Sequence, residues 1–333
     1  MTDNASLCLS LRAQIERWPL AGAFTISRGS KTEAVTVMVE ISDGTHSGRG
    51  ECVPYTRYFE SPESVMTFIE MMKQPFARGM NRLGLQDAMP AGAARNAIDC
   101  ALWDLECKQS GRAAHELAGL PELKPVTTAF TISLDTPDAM AEAAAKAAGW
   151  PLLKVKLGRS GDDERIAAVR RAAPKAELIV DANEGWTPDN LAGNLAACAA
   201  AGVTLIEQPL PEANDALLAT ASHTVPLCAD ESAHGLASLA GLKGKYDAIN
   251  IKLDKAGGLT EALAMTEEAI RMGFSVMAGC MVATSLAIAP ALLFAQSARV
   301  ADLDGPLWLA KDRPHGLRYD DHRVYPASKA LWG

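Results

Sequence analysis

The chain has 333 residues, of which 48% are hydrophobic and 22% are charged, as is typical of a folded globular protein with a large core. Its formal net charge of −8 argues against a nucleic acid or an anionic membrane surface as a partner, because neither polyanion attracts an acidic protein. A small molecule is therefore the expected partner.

The cysteine pattern and the apolar segments indicate a cytoplasmic protein. Seven cysteines are scattered without a CxxC pair, which is typical of reduced cytosolic thiols rather than of a disulfide framework. The N-terminal sequence MTDNASLCLS lacks the basic and apolar segments of a secretory signal. The apolar segment at residues 286–295 is shorter than the roughly 20 residues that span a bilayer. We therefore expect a cytoplasmic location.

The pattern of residues 1–120 predicts a small α+β domain. Alternating polar and apolar residues at 34–41 (AVTVMVEI) predict an antiparallel strand with one solvated face. Asp43 and Gly44 then form a hairpin turn. A helix is expected from Ser61, and apolar residues at helical spacing predict another at 92–108.

From Thr127 onward the pattern becomes an alternation of strands and helices. The eight strand candidates are TTAFTIS, LLKVKLG, ELIVDANE, TLIEQPL, PLCADES, AINIKL, SVMAGC and ADLDG. The amphipathic segments between them include residues 138–148, 162–172, 191–201 and 260–272. This alternation predicts an α/β parallel barrel with an outer ring of helices at residues 121–309.

Two further observations complete the predicted organisation. The tail at residues 310–333 is longer than a barrel needs, so we expect it to return to the first domain. A doubly wound open sheet is the competing architecture, but it normally carries a glycine-rich phosphate loop after its first strand. The sequence has no such loop there.

Five ionisable residues lie in or at the ends of short apolar runs, at intervals of 25, 26, 23 and 22 residues: Lys156, Asp181, Glu207, Asp230 and Lys252. Each interval fits one βα unit, so all five side chains would reach the same end of a barrel. A single acid here would be read as a helix cap or a loop residue. Three converging carboxylates instead predict a cation, and oxygen ligands favour Mg²⁺.

The lysines lie on both sides of this predicted metal site. Lys154 and Lys156 are two residues apart on one strand, so both point to the same side, and their apolar neighbours place that side in the barrel interior. Lys252, on the sixth strand, lies across the barrel from the second strand. One lysine can then remove a proton from a carbon acid while the other returns a proton to the opposite face, which inverts the stereocentre.

Two acids end the eighth strand. Asp302 and Asp304, in the segment DLDGP, have the spacing that puts both carboxylates on one side of a strand. A turn before Gly305 is the alternative explanation. The functional interpretation is a pocket for a cationic group, most simply a free α-ammonium.

These motifs resemble the enolase superfamily, and within it the dipeptide epimerases, over essentially the whole chain. The segments that carry the resemblance are KVK (154–156), VDANEGW (180–186), EQPL (207–210), ADES (229–232), NIKLDKAGG (250–258), DLDGP (302–306), GECVPYTRYFES (50–61) and GAARNAIDCALWDL (92–105).

The resemblance implies a modified TIM barrel, (β/α)₇β, with an N-terminal α+β capping domain. It also implies that Asp181, Glu207 and Asp230 bind Mg²⁺ and that Lys156 and Lys252 are the acid/base pair. Lys154 would polarise the site and contact the substrate. No histidine follows the seventh strand, which leaves the subgroup with two lysines, that of the muconate lactonizing enzymes.

Within the epimerases, the chain most resembles those that act on L-Ala-D/L-Glu, which implies a role in murein peptide recycling. The reaction implied is a two-base 1,1-proton transfer through an enediolate. Asp302 and Asp304 would bind the N-terminal ammonium of the dipeptide. The segment ISRGSK offers Arg28 or Lys31 to the acidic side chain, and only arginine has a bidentate fork.

Several alternatives remain open. Muconate cycloisomerases and o-succinylbenzoate synthases share the metal ligands and the lysines but bind substrates without an ammonium, and another dipeptide would also suit an epimerase. A Schiff-base aldolase would use buried lysines but would not need three metal ligands. A metal-stabilised binding protein would need neither lysine. The oligomeric state is also open, a homo-oligomer included.

Overall fold

The computed structural model of the chain describes residues 8–320 and 322–333, so most of the N-terminal segment judged for a secretory signal lies outside the described residues. The strands form a three-stranded antiparallel sheet, an eight-stranded parallel sheet and a small sheet of three short strands. The strands are β1 (Ser10–Ile26), β2 (Gly29–Ser42), β3 (Ser47–Cys52), β4 (Val126–Thr127), β5 (Phe130–Ile132), β6 (Leu152–Lys156), β7 (Glu177–Asp181), β8 (Val203–Glu207), β9 (Leu227–Ala229), β10 (Ala248–Ile251), β11 (Ser275–Gly279), β12 (Val300–Asp302), β13 (Tyr319–Asp320) and β14 (Arg323–Val324).

The helices lie on the faces of these sheets. They are α1 (Pro62–Met71), α2 (Lys73–Ala77), α3 (Arg82–Ala88), α4 (Ala93–Ser110), α5 (Ala114–Leu117), α6 (Pro137–Lys146), α7 (Asp162–Ala172), α8 (Pro188–Ala200), α9 (Leu253–Ala256), α10 (Leu259–Arg271), α11 (Ser285–Ile288) and α12 (Ala291–Ala295). Short 3₁₀ helices span Thr56–Tyr58, Glu212–Ala219, Leu236–Leu242 and Gly305–Trp308.

A long hairpin forms most of the first sheet. Strands β1 and β2 pair from Ser10↔Ser42 to Ile26↔Gly29, with one shift of register between Pro19 and Phe24. Ser27 and Arg28 are therefore the two residues of the turn, which places Arg28 at the tip of the hairpin. Strand β3 pairs with β2, and the predicted turn at residues 43–44 joins them.

Helix α4 packs closely on the strands of this sheet because β3 carries two glycines. A Cβ atom on Gly48 would lie 2.1 Å from the carbonyl oxygen of Ala101, and one on Gly50 would lie 2.1 Å from that of Ala97. Glycine at both positions thus permits a contact between backbones. The apolar residues between α4 and the sheet form their own core cluster.

The eight-stranded sheet is a nearly closed parallel barrel. Its order is β5 to β12 in sequence, and the backbone N–H of Ala129 donates to the carbonyl of Ala301 at 2.8 Å, which joins the two ends. The lowest interior layer consists of eight buried residues, one from each strand β6 to β12 and one that immediately precedes β5. They are Ala129, Leu152, Ile179, Leu205, Cys228, Ala248, Met277 and Val300. The predicted fold class is confirmed. All eight predicted strands are present, but 3₁₀ helices replace α-helices after β8 and β9.

The N-terminal part meets the barrel through α4 and the turn that follows β10. Asn96 Nδ2 and the backbone N–H of Val53 donate to Asp254 Oδ1 at 2.8 and 3.0 Å. A Cβ atom on Gly258, where φ is +121°, would lie 2.5 Å from Asp99, so this glycine permits the contact. The motifs at 92–105 and 250–258 are thus two sides of one interface, and Lys252 immediately precedes it.

The C-terminal tail contacts the N-terminal part. Trp332 Nε1 donates to the carbonyl of Cys100 at 3.0 Å, and Arg49 Nη2 donates to the carbonyl of Ala330 at 2.8 Å. The domain boundaries at residues 120 and 309 stay predictions. Within residues 8–320 and 322–333, no helix is both long and apolar enough to cross a membrane.

The packing of α4 on β3 gives a stability prediction. Gly48→Ala is expected to lower the free energy of unfolding by about 1–3 kcal/mol or more, because its methyl group meets helix backbone that cannot move aside. Gly193→Ala in α8 is the control, since no atom lies within 4 Å of its added Cβ, and it is expected to stabilise by up to about 1 kcal/mol. Equilibrium denaturation in urea measures both. Equal effects of the two substitutions would contradict the packing.

Candidate active site

The carboxyl ends of the barrel strands open into a cavity of about 520 Å³. Residues from the barrel and from the hairpin of β1 and β2 line it together. By the period of two along each strand, the residues two positions beyond the apolar layer also point into the barrel, and most of them are ionisable. The cavity therefore has mostly charged groups at its floor, and residues of the N-terminal part lie over it.

Three buried carboxylates form the centre of the site. Asp181, Glu207 and Asp230 each offer an oxygen atom, and these atoms lie within 4.8 Å of one another. Burial and the neighbouring charge of Asp181 raise the pKa of Glu207 to about 8, and a cation bound between the carboxylates would favour its ionised form. A hard divalent cation fits this all-oxygen set, so the three residues can hold a metal ion.

Two lysines face each other across the carboxylates. Lys156 Nζ lies 2.6 Å from Asp181 Oδ2, and Lys252 Nζ lies 2.6 Å from Asp230 Oδ2. Their strands, β6 and β10, are four positions apart in the eight-stranded order, which places them on opposite sides of the barrel. Burial alone would lower the pKa of Lys252, but Asp230 and Glu207 raise it well above its ordinary value. A cation bound by the same acids would weaken that effect.

Lys154 lies below Lys156 and is almost fully buried, with 1% of its side chain exposed. Its Nζ atom lies 2.6 Å from Glu207 Oε2 and 2.7 Å from Asp302 Oδ2, with Asp181 Oδ2 at 3.2 Å. Burial opposes its charge, but the three acids raise its pKa well above the ordinary value. Lys154 thus links the carboxylate cluster to the end of β12.

The two acids after β12 differ in their surroundings. Asp304 Oδ2 accepts from the backbone N–H of Thr131 at 2.8 Å and from Trp308 Nε1 at 3.3 Å. Asp302 gives one oxygen to Lys154, while its Oδ1 is buried and has no hydrogen-bond partner in the described parts of the chain. An unpaired buried acceptor is unfavourable, so Asp302 Oδ1 is suited to a cationic group in the cavity.

The two predicted cations of the hairpin also line the cavity, in different settings. Arg28 Nη2 donates to Glu231 Oε1 at 2.8 Å and to the hydroxyl of Tyr55 at 3.2 Å. Lys31 has no hydrogen bond or ion pair from its ammonium among the residues that the structure describes, and it lies 5.8 Å from the ring centre of Phe24. Burial and the charge of Lys156 lower the pKa of Lys31 to about 8.

Two residues near the carboxylates were missed by the sequence interpretation. Lys255 Nζ donates to Asp230 Oδ1 at 2.6 Å and to two backbone carbonyls, so its three N–H donors are all used. Asn250 Nδ2 donates to Glu207 Oε1 at 2.7 Å. Asn250 lies on β10 two residues before Lys252. Because residues two apart on a strand point to the same side, this spacing could have predicted that Asn250 also faces the carboxylates. Lys255 lies in the turn after the strand, where no such spacing applies.

Two family models match the chain. The model "Mandelate racemase / muconate lactonizing enzyme, N-terminal domain" matches residues 9–119, and "Enolase C-terminal domain-like" matches residues 138–329. The chain is 48% identical to the L-Ala-D/L-Glu epimerase of Escherichia coli K12 over 306 residues, which cover 91% of this chain and 95% of that protein. It is 45% identical to an N-acetyl-D-glutamate racemase of Pseudoalteromonas over 302 residues, 89% of this chain and 95% of that one.

Solved structures agree with these matches. One is an enolase family member from Agrobacterium tumefaciens with homology to dipeptide epimerases, bound to sodium and L-Ala-L-Glu. Its TM-score is 0.96 and its sequence identity is 55%, and the match covers 98% of this chain and 100% of that chain. A dipeptide epimerase from Enterococcus faecalis, complexed with Mg and L-Leu-L-Tyr, has a TM-score of 0.90 and 28% identity, and the match covers 97% of this chain and 98% of that one.

Binding of a divalent cation to the three acids can be measured without turnover. Mg²⁺ added to chelator-treated protein is expected to raise the thermal unfolding temperature, because a ligand that binds only the folded state stabilises that state. At a Mg²⁺ concentration of 100 times Kd, the free energy of unfolding should rise by about 2.7 kcal/mol. Glu207→Gln and Asp230→Asn should remove this shift. Glu142→Gln, an exposed acid on α6, should keep it. A full shift in both site variants would contradict the assignment.

Proposed function

The chain belongs to the enolase superfamily, and from this premise we propose that it is a dipeptide epimerase, an isomerase that inverts the α-carbon of the C-terminal residue. The observation that carries the proposal is the placement of Lys156 and Lys252 on opposite sides of three buried carboxylates. A racemising enzyme with two bases needs one proton-transferring group at each face of the α-carbon. The proposed substrate is L-Ala-L-Glu or L-Ala-D-Glu, which would serve murein peptide recycling.

The lysines would do the proton transfer. The α-proton of a C-terminal residue is weakly acidic, so the base must lie within hydrogen-bond reach of it and must be neutral when it accepts the proton. In one direction Lys156 takes the proton and Lys252 supplies another to the opposite face. The roles reverse for the other isomer. Mg²⁺, held by Asp181, Glu207 and Asp230, would neutralise charge that develops on the substrate carboxylate.

The ends of the dipeptide would meet opposite charges. Asp302 Oδ1 has no partner in the described structure and would accept a hydrogen bond from the N-terminal ammonium. Asp304 adds negative charge beside it, although its Oδ2 already accepts two hydrogen bonds. The acidic side chain of the C-terminal residue would contact Arg28 or Lys31, both of which line the cavity.

The substrate class can be tested with matched compounds. In D₂O with Mg²⁺, the protein is expected to epimerise L-Ala-L-Glu with loss of the glutamate α-proton signal in ¹H NMR, and to act poorly on N-acetyl-L-glutamate, which has no ammonium. Asp302→Asn should raise KM for L-Ala-L-Glu by about 10- to 100-fold, the value of one hydrogen bond to a charged group.

N-acetyl-L-Ala-L-Glu serves as the control for the same variant, because it cannot use the aspartate in this way. Its kcat/KM should change much less than that of the free dipeptide when Asp302 is replaced. If the wild-type protein turns over N-acetyl-L-glutamate faster than L-Ala-L-Glu, the dipeptide assignment is wrong and an N-acylamino acid is the substrate.

A further inference from the structure

The loop after β7 has an unusual backbone. Asn183 and Glu184 are consecutive non-glycine residues with positive φ, at 44° and 62°. Positive φ is disfavoured for residues that carry a side chain, and such conformations persist where the surrounding structure holds them, often at functional sites. This conformation places the Asn183 carbonyl where Ser27 Oγ and Arg28 Nη1 both donate to it, each at 2.8 Å.

Glu184 is the centre of the contacts between this loop and the N-terminal part. Arg57 donates to both of its carboxylate oxygens, Nε to Oε2 and Nη2 to Oε1, each at 2.7 Å. Arg28 Nη1 lies 3.3 Å from Oε2, and the backbone N–H of Glu212 donates to Oε1 at 3.2 Å. Only 9% of the Glu184 side chain is exposed. These charge-assisted bonds are the strong kind, since the arginine fork matches the carboxylate.

The two arginines come from separate segments that both line the cavity. Arg28 is at the tip of the hairpin of β1 and β2, and Arg57 is in the 3₁₀ helix Thr56–Tyr58. Within the described structure, Glu184 is the residue whose side chain pairs with both. The hairpin tip is also packed tightly at this point, because a Cβ atom on Gly158 would lie 2.8 Å from Ser27 Cβ. The carboxylate of Glu184 therefore binds both the hairpin tip and the 3₁₀ helix, which line the same cavity.

We propose that Glu184 is a positioning residue that holds the hairpin tip and the Thr56–Tyr58 turn closed over the cavity and orients Arg28 toward the substrate. Among the described residues, the hydrogen bonds and ion pairs of the Glu184 carboxylate are with Arg28, Arg57 and the backbone N–H of Glu212, so its effect acts through the arginines. Without its charge, Arg57 loses its bidentate partner and keeps Glu212 Oε2 at 3.6 Å. Arg28 keeps Glu231 and the Asn183 carbonyl. The effect on Arg28 as a substrate contact rests on the proposed function, whereas the closure of the two segments does not.

Hydrogen–deuterium exchange without substrate tests the closure directly. In Glu184→Gln, amides of residues 55–60 are expected to exchange at least about tenfold faster than in the wild-type protein, because Arg57 loses its bidentate partner. Amides of residues 26–30 should exchange faster by a smaller factor, because Ser27 and Arg28 keep their other hydrogen bonds, and the barrel strands should be unchanged. Arg57→Gln should reproduce the faster exchange at 55–60. Glu268→Gln is the matched control, because it removes a bidentate pair with Arg271 that joins no loops, and it should leave both segments unchanged.

Kinetics separate positioning from a general loss of structure. With L-Ala-L-Glu, Glu184→Gln should raise KM by about 10- to 100-fold with a smaller change in kcat, and Glu184→Asp should restore part of the loss. The double variant Glu184→Gln, Arg57→Gln should lose less than the sum of the single effects.

The kinetic and exchange experiments test different statements, so one can fail without the other. If the wild-type protein does not turn over the dipeptide, the proposed function is wrong, and the exchange result still decides the role of Glu184. Unchanged exchange in both segments of Glu184→Gln would overturn the inference. The inference would also be overturned if the substitution lowered both kcat and thermal stability and left KM unchanged.

Discussion

Charge balance in a buried space is the constraint on which the site depends. Asp181, Glu207, Asp230 and Asp302 are each 5% exposed or less, and the lysines at 154, 156, 252 and 255 are each 7% exposed or less. Buried charges are tolerated only when they are paired, and removal of one partner leaves another uncompensated. Each lysine here contacts at least one of these acids within 2.7 Å. The barrel mouth is therefore one interdependent ionic network.

Within this network the four lysines differ in how many of their ammonium donors are already used. Lys255 uses all three donors on Asp230 and two carbonyls, and Lys154 lies among three acids. Both are held in place by these contacts. Lys154 also lines the cavity, and its predicted contact with the substrate stays a prediction. The ammonium groups of Lys156 and Lys252 line the cavity, and among the described residues each donates one hydrogen bond, so both keep donors for a substrate. A metal ion that draws on the same carboxylates would free these two lysines further, which couples metal binding to proton transfer.

The sequence predicted those features that follow from strand geometry alone. A period of two and a regular βα interval place Lys156, Asp181 and Glu207 at one end of the barrel, and the structure has them paired in register on neighbouring strands. The contacts of Glu184 could not be predicted, because Arg57 is 127 residues away and meets it only when the N-terminal part docks on the barrel. Asn183 is of a residue type that readily adopts left-handed backbone, but the same conformation at Glu184 has no such sequence signal. Asp304 was predicted as a substrate contact, yet much of its bonding capacity serves Thr131 and Trp308.

The proposed two-base reaction requires Lys156 and Lys252 to act on opposite faces of one α-carbon. Its most direct test is α-proton exchange in D₂O, measured by ¹H NMR on L-Ala-L-Glu and L-Ala-D-Glu separately, with Lys156→Ala and Lys252→Ala. If the two lysines act in this way, neither variant interconverts the isomers, and any exchange which remains is confined to one isomer in Lys156→Ala and to the other isomer in Lys252→Ala. Unchanged epimerisation in either variant would contradict the two-base reaction.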